Sequence, residues 1–215
     1  MKIYRNTVSD LLWNTLKKLM SLEELKTYRL VGGTCLSLLL GHRVSVDIDL
    51  FTDSEYDSID FEHLDKLFLE SFDYVNIGYI GNKGFGKSYF IGSHENDAIK
   101  LDLFYTDPFI LPVIEIENIR LSQIGEIVAM KLEIIGHYGR KKDFWDIHEL
   151  MNHFKWSEML DFFIKRYPYS HKPDDIMIKL TDFTNADKDP DPICLKDKYW
   201  ELIKLDIEES VNKFR

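Results

Sequence analysis

Apolar residues recur at helical spacing across 8–26 (Val8, Leu11, Leu12, Leu16, Leu19), with Ser9 or Asp10 placed to start a helix. "TYRLVGG" predicts a short strand entering a turn at Gly32-Gly33, and "TCLSLLLGH" a short buried helix that stops at Gly41. "SVDIDLFT" follows as a strand and 58–71 as another helix. "FDYVNIGYI" and "SYFIG" are β-rich runs, and "AIKLDLFYTD" is a further strand ended by Pro108. From Gln123 the period turns helical, over 123–138, 142–154, 156–166, 173–182 and 195–214, broken by the loop "NADKDPDP". The pattern predicts an α/β half, 1–115, and a helical half, 116–215, with no internal repeat.

Composition narrows the class. An apolar fraction of 45% with 30% charged residues is that of a globular chain, and 215 residues suffice for a sizeable core. The longest apolar stretch, "LSLLLG", is halted by His42 and Arg43, too short for a membrane span. The N-terminal "MKIYRNTVSD" carries no apolar signal region, which predicts a cytoplasmic protein. Cys35 and Cys194 stand alone and fit a reducing compartment. The net charge of -10 does not draw in duplex nucleic acid by bulk attraction, so such a substrate needs a local basic site or a bound cation. A basic protein partner fits the charge equally well.

"GNKGFGKS", Gly81 to Ser88, matches the phosphate-loop pattern G-x-x-x-x-G-K-[ST]. A phosphate loop needs a helix after it, whose free N–H groups face the phosphates. Here "SYFIG" follows, aromatic and too short for a helix before Gly92. The glycines are assigned to a hairpin turn, where they supply positive φ.

A better phosphate site is the turn at Gly32-Gly33. Two glycines allow close backbone approach to a ligand, the helix start offers unpaired N–H donors, and Thr34 is a capping hydroxyl. Taken alone, the same turn also serves as a tight strand–helix connection with no ligand. In "VDIDLF", Asp47 and Asp49 point to one face of a strand, while Val46, Ile48 and Leu50 point to the other. The pair reads either as two solvated acids on an exposed edge or as a cation site, since like charges at that separation repel. Hard oxygen ligands suit Mg²⁺. "IKLDLFY" places Asp102 opposite an Ile99, Leu101, Leu103 face. If its strand lies beside the first, three carboxylates converge, a ligand set for two metal ions.

These residues resemble the nucleotidyltransferase superfamily related to DNA polymerase β, and within it the AbiEii/AbiGii-type abortive-infection toxins. The branch pattern of a G-G-T-x-L turn followed by R-x-S-x-D-I-D-L-F is met by Gly32, Gly33, Thr34, Arg43, Ser45, Asp47 and Asp49. A downstream K-x6-R-x3-K-D-x2-D motif is met by Lys131, Lys142, Asp143 and Asp146, with Tyr138 at the arginine position and Arg140 two residues later. The motifs span about residues 30–146. The resemblance implies an α+β polymerase-β-like core with a C-terminal helical bundle.

On that resemblance, the enzyme moves a nucleoside monophosphate from an NTP to an acceptor hydroxyl with Mg²⁺. Gly32, Gly33, Thr34, Arg43 and Ser45 would hold the nucleotide, and Asp47, Asp49 and Asp102 two metals. Asp102 would also activate the acceptor, Lys131 balance triphosphate charge, and Asp143 position Lys131 or the base. The resemblance further implies a toxin with a cognate antitoxin, and an RNA acceptor such as a tRNA end. A protein acceptor and a non-catalytic partner-binding protein on the same scaffold are the alternatives.

Side-chain physics bears on the downstream motif independently. Lys131 falls in the apolar stripe Ile124, Ile127, Val128, Ile134, Ile135, where a buried amine needs anions: a triphosphate, Asp143, or both. Otherwise it snorkels to water. Asp143 sits where an acid stabilises a helix start, and Asp146 reads as a surface acid at the edge of its helix's apolar stripe. "HELMNH" spaces His148 and His153 five apart, on different helix faces, unlike a zinc-protease helix. "NADKDPDP" reads as a solvated loop and Cys35 as a core residue.

Overall fold

The computed structural model describes residues 2–78 and 85–215. Among the described residues, seven strands form one mixed sheet: β1 (Arg29–Leu30), β2 (Ile48–Thr52), β3 (Tyr74–Ile77), β4 (Gly86–His94), β5 (Asp97–Tyr105), β6 (Ile114–Ile116) and β7 (Ile119–Leu121). Their order is β3-β4-β5-β2-β1-β7-β6. The described residues also form eight α-helices: α1 (Asp10–Ser21), α2 (Gly32–Leu40), α3 (Phe61–Ser71), α4 (Ile124–Tyr138), α5 (Lys141–Leu150), α6 (Trp156–Arg166), α7 (Pro173–Lys179) and α8 (Trp200–Phe214). The architecture is α+β, as the period change near residue 123 predicts. Among the described residues no helix is long and apolar enough to cross a membrane.

Three local features of the sequence account for the central elements. Alternation in β2 and β5 buries Ile48 and Leu50 on one strand and Ile99, Leu101 and Leu103 on the other. Their parallel pairing sets Asp49 directly opposite Asp102. One sheet face is thus core and the other carries the acids. α2 ends where Gly41 adopts φ +67° and its N–H bonds to the Ser37 carbonyl, a left-handed cap that glycine adopts without strain. α4 is buried along most of its length, and Gly125 and Gly136 let neighbours approach it closely.

The sheet extends further than the sequence pattern predicts. β6 and β7 are three residues each, too short to show a period, and the left-handed Glu117-Asn118 pair joins them as a hairpin. They gain their identity from β1, which β7 joins in parallel. The last helix starts at Trp200, not near residue 195. Residues 189–195 instead return to the core half, where Cys194 bridges Arg43. The acids of "NADKDPDP" are structural ties: Asp189 accepts from the Lys141 N–H, Asp191 pairs with Lys141 Nζ, and Asp187 accepts from Trp200 Nε1.

β3 and β4 are antiparallel neighbours, and β4 carries Lys87 and Ser88 within a strand. Among the described residues the element that follows the glycine run is this strand, whereas a phosphate loop leads into a helix. Lys87 is buried against Asp65 of α3. Gly81 to Gly84 lie outside the described residues.

Candidate functional site

A cleft of about 370 Å³ opens where α2 begins, between β2, β5 and α4. Gly32, Gly33, Arg43, Ser45, Asp47, Asp49, Asp102 and Lys131 all line it, together with Lys100, Glu133, Arg140 and Lys142. Five basic side chains therefore meet four acidic ones on a protein of net charge -10. The cleft is thus less acidic than the chain as a whole.

The diglycine turn is required twice over. Gly32 holds φ +67°, and a Cβ there would lie 2.5 Å from Asp49 Oδ2. A Cβ on Gly33 would lie 2.4 Å from Arg43 NH2. The glycines thus let the first turn of α2 sit directly against a carboxylate and a guanidinium. Val31, the residue before the helix, offers no side-chain cap, so the first N–H groups of α2 keep their capacity for an anion. Thr34 does not face the cleft. It is buried behind the turn, its hydroxyl against Ser45 Oγ at 2.8 Å and the Asp47 carbonyl, so it braces the turn instead of presenting a hydroxyl.

Three aspartates share one wall. The Asp49 carboxylate has no hydrogen bond or ion pair among the described residues, and it is pushed up to about 6 by burial, then by Asp102 and Asp47. Asp102 accepts from Ser88 Oγ at 2.6 Å and from Lys100 Nζ at 2.6 Å. Asp47, just before β2, faces Lys142 Nζ at 3.7 Å. Among the described residues no three His, Cys, Asp or Glu side chains stand ready-gathered as a metal cage. The donor set still fits a hard divalent cation: oxygen ligands, one of them unpartnered and raised by its like-charged neighbours. Lys100 pairs with Asp102 and Lys142 faces Asp47, so both bring positive charge to these acids.

Beneath this wall lies a second, saturated cluster. Lys131 Nζ is 2.7 Å from Asp143 Oδ1 and 2.6 Å from Asp146 Oδ2. Asp146 is fully buried, contrary to its reading as a surface acid. It accepts from Arg43 Nε and NH2 at 2.6 and 2.8 Å and from His42 Nε2 at 2.7 Å. Burial alone would raise Asp146, but Arg43 and Lys131 hold it well below the ordinary carboxylate range. Lys131, which burial would lower, is held above its ordinary value by Asp143 and Asp146. His42 has no exposed surface and its Nδ1 lacks a partner; burial pulls the imidazole down, which fits a neutral ring donating from Nε2.

At the family's arginine position, Tyr138 is exposed and does not line the cleft. Arg140 does, and its Nε donates to Asp143 Oδ2 at 3.0 Å. Arg140 stands two residues after Tyr138, just before α5, where it reaches the acid that Lys131 also binds.

Several of these residues have signals in the sequence. Lys100 is two before Asp102, so the strand period alone puts both on one face. Asp146 is one turn after Asp143. Ser88 and His42 had no such signal, because only the β4–β5 register and the α2–α5 packing bring them in. The rejected zinc pattern stays unassembled: His148 pairs with Asp206, and Glu149 is neutralised by Lys196 and Lys198. Cys35 is fully buried, its thiol pushed up to about 12 by burial, as a core residue's would be.

Comparison with known proteins converges on one family. Residues 16–215 match the family described as nucleotidyl transferase AbiEii toxin, type IV toxin–antitoxin system. No curated protein matches the sequence. Among solved structures, JHP933 from Helicobacter pylori is similar at 18% identity and TM-score 0.58, over 98% of this chain and 90% of that one. MenT4, a nucleotidyltransferase toxin from Mycobacterium tuberculosis, is similar at 14% identity and TM-score 0.55, over 91% of this chain and 83% of that one. At such identities the likeness is one of fold, while the family match covers both the diglycine–aspartate cleft and the lysine–aspartate cluster beneath it. The chain belongs to the AbiEii family of nucleotidyltransferase toxins.

Proposed function

We propose that the cleft transfers a nucleoside monophosphate from an NTP to an acceptor hydroxyl, with Asp47, Asp49 and Asp102 holding Mg²⁺. The observation that carries this reading is the unpartnered Asp49 carboxylate, set between two other acids and against the Gly32-Gly33 turn. A divalent cation bound there neutralises carboxylate and phosphate charge and makes the acceptor oxygen a better nucleophile. The chain's own groups do the rest. The free N–H groups at the start of α2 bind phosphate oxygens, and Ser45, beside Gly33, adds a hydroxyl. Arg140, Lys142 and Lys100 line the same space and offset the triphosphate's charge.

Asp102 takes the proton of the acceptor hydroxyl as the acceptor oxygen bonds to the α-phosphorus and the bond to the pyrophosphate oxygen breaks. Lys131 and Asp143 act as a positioning pair. Both are engaged by neighbouring side chains, so their part is to fix Arg43 and Arg140 around the turn. The α/β part, whose sheet runs to Leu121, supplies the carboxylates and Lys100, and the helical remainder supplies Lys131, Asp143, Arg140 and Lys142. Membership of a type IV toxin–antitoxin family supports control by a cognate antitoxin, and this reading takes an RNA end, such as that of a tRNA, as the acceptor.

The test is incubation with each labelled NTP, Mg²⁺ and either total RNA or lysate protein, for the parent and for Asp49→Ala. Label on RNA with the parent alone is the expected result. Label on protein moves the acceptor to a protein hydroxyl, and identical behaviour of the two proteins sinks the transferase reading.

A further inference from the structure

Next to the nucleotide cleft is a larger cavity of about 890 Å³, and Glu133 and Tyr167 line both. Its walls come from residues 107–110, the outer face of α4 and the 165–171 segment at the end of α6. Five of its side chains are aromatic: Phe109, His137, Tyr167, Tyr169 and His171. They are not equally available. Phe109 is already covered by the Arg29 guanidinium, 3.7 Å from its ring centroid, and by Arg166 at 5.0 Å. Tyr169 is 99% exposed and stacks on no other ring among the described residues.

The histidines are held in a built frame. Their rings meet edge to face with centroids 4.5 Å apart. His171 rests on Gly136, where a Cβ would come within 2.6 Å of the ring. Glu133 fixes the pair from below, 3.0 Å from His137 Nε2 and accepting from Ser170 Oγ at 2.7 Å.

The uncommitted side chains leave this cavity one net negative charge. Arg166 is committed to Glu126, leaving Lys165 against Asp107 and Glu133. Such a wall is unsuited to a triphosphate but suited to flat, weakly charged rings, whose faces stack on aromatic side chains whatever the base. It also lets a protein of net charge -10 hold a nucleic acid without relying on phosphate attraction.

We propose that this cavity seats the unpaired terminal nucleotide of a single-stranded nucleic-acid acceptor, its base against Tyr169 and the His137–His171 pair. The terminal hydroxyl enters the carboxylate cleft past Tyr167 and Glu133. The assignment rests on the transfer reading above and adds the place where the acceptor binds.

The test measures fluorescence anisotropy of a short labelled oligoribonucleotide with a free terminal hydroxyl, at low and moderate salt. The proteins compared are the parent, Tyr169→Ala, His171→Ala and Asp49→Ala. Tyr169→Ala and His171→Ala are each expected to weaken binding about tenfold, the loss of one base–aromatic stack. NTP binding by calorimetry stays at the parent value in both, and the salt dependence of oligonucleotide binding is shallow.

The assignment is overturned if the parent binds no oligonucleotide, or if both aromatic variants bind it as the parent does. It is also overturned if protein labelling, and not RNA labelling, falls in those variants. Aromatic-dependent binding with no transfer of any nucleotide by the parent sinks the transfer reading and leaves the nucleotide seat standing. Transfer to RNA that is lost in Asp49→Ala but untouched in the aromatic variants does the reverse.

Discussion

Asp143 and Asp146 lie beneath the cleft with every carboxylate oxygen engaged, by Lys131, Arg140, Arg43 or His42. Asp47, Asp49 and Asp102 lie a few residues' breadth away, and among the described residues they share only Lys142, Lys100 and Ser88. The residue type is the same, yet Asp146 and Asp49 are shifted in opposite directions. Asp146 is held well below the ordinary range, while Asp49 is pushed up to about 6. A carboxylate whose cations are built into the chain is part of the scaffold. One left short of positive charge is poised to receive it from outside. The lower cluster pays its desolvation cost internally, and the upper one leaves that cost for a ligand to relieve.

The comparison breaks most severely at Asp146. Asp146→Ala strands Arg43 and Lys131 without their shared counter-ion and is expected to cost about 3–5 kcal/mol of stability, read by denaturant titration. A loss under about 1 kcal/mol would mean that the lower cluster is not structural.

Asp49→Ala should act in the other currency, lowering transfer roughly 10³-fold, about 4 kcal/mol of transition-state stabilisation, without lowering the melting temperature. Asp49 also sharpens the comparison through pH. Its folded value of about 6 lies above the ordinary 3.8, so the folded state binds this proton more tightly than the unfolded state does. Without divalent cations, stability should fall as pH rises from about 4 through 6, by at most about 3 kcal/mol, and stay low above that. Asp49→Asn should flatten this segment of the profile, and Mg²⁺ should stabilise the parent at pH 7.5 but not the variant. A parent profile that rises across the same window would contradict the upward shift.

Gly32→Ala probes the contact between turn and carboxylate. With φ +67° and Asp49 Oδ2 in the path of the Cβ, it is expected to cost about 1–2 kcal/mol of stability and to weaken NTP binding. Unchanged calorimetric binding would separate the turn from the nucleotide. The smallest effect is expected at Lys100. Its pair with Asp102 is partly exposed and worth up to about 1 kcal/mol, so Lys100→Met should lower the Mn²⁺ concentration for half-saturation, read by electron paramagnetic resonance, by a few-fold at most. Weaker Mn²⁺ binding in the variant would show that the lysine does not compete for Asp102.

Much of this site was legible because it is local. Gly32-Gly33, Asp47 and Asp49 lie within one strand–helix–strand unit, and a strand's period of two sends alternate carboxylates to one face. Lys131 was legible as a buried cation because its position in an apolar stripe demands a partner. Thr34 misled because its hydroxyl is appropriate to a cap, and chain proximity does not reveal that Ser45 and the Asp47 carbonyl claim it first. Asp146 misled because its burial depends on Arg43 and His42, about a hundred residues earlier in the chain.

Sequence by itself determined which side chains are chemically suited to phosphate and metal, the face of the strand or helix each occupies, and the change from a mixed sheet to helices near residue 123. Tertiary structure alone decided which of those charges are neutralised from within. Pairings such as Asp49 with Asp102, Asp146 with Arg43, and Tyr167 and Glu133 with two adjoining cavities join elements far apart in the chain. Electrostatic interaction depends on separation and burial in space, and neither is a property of position along the sequence.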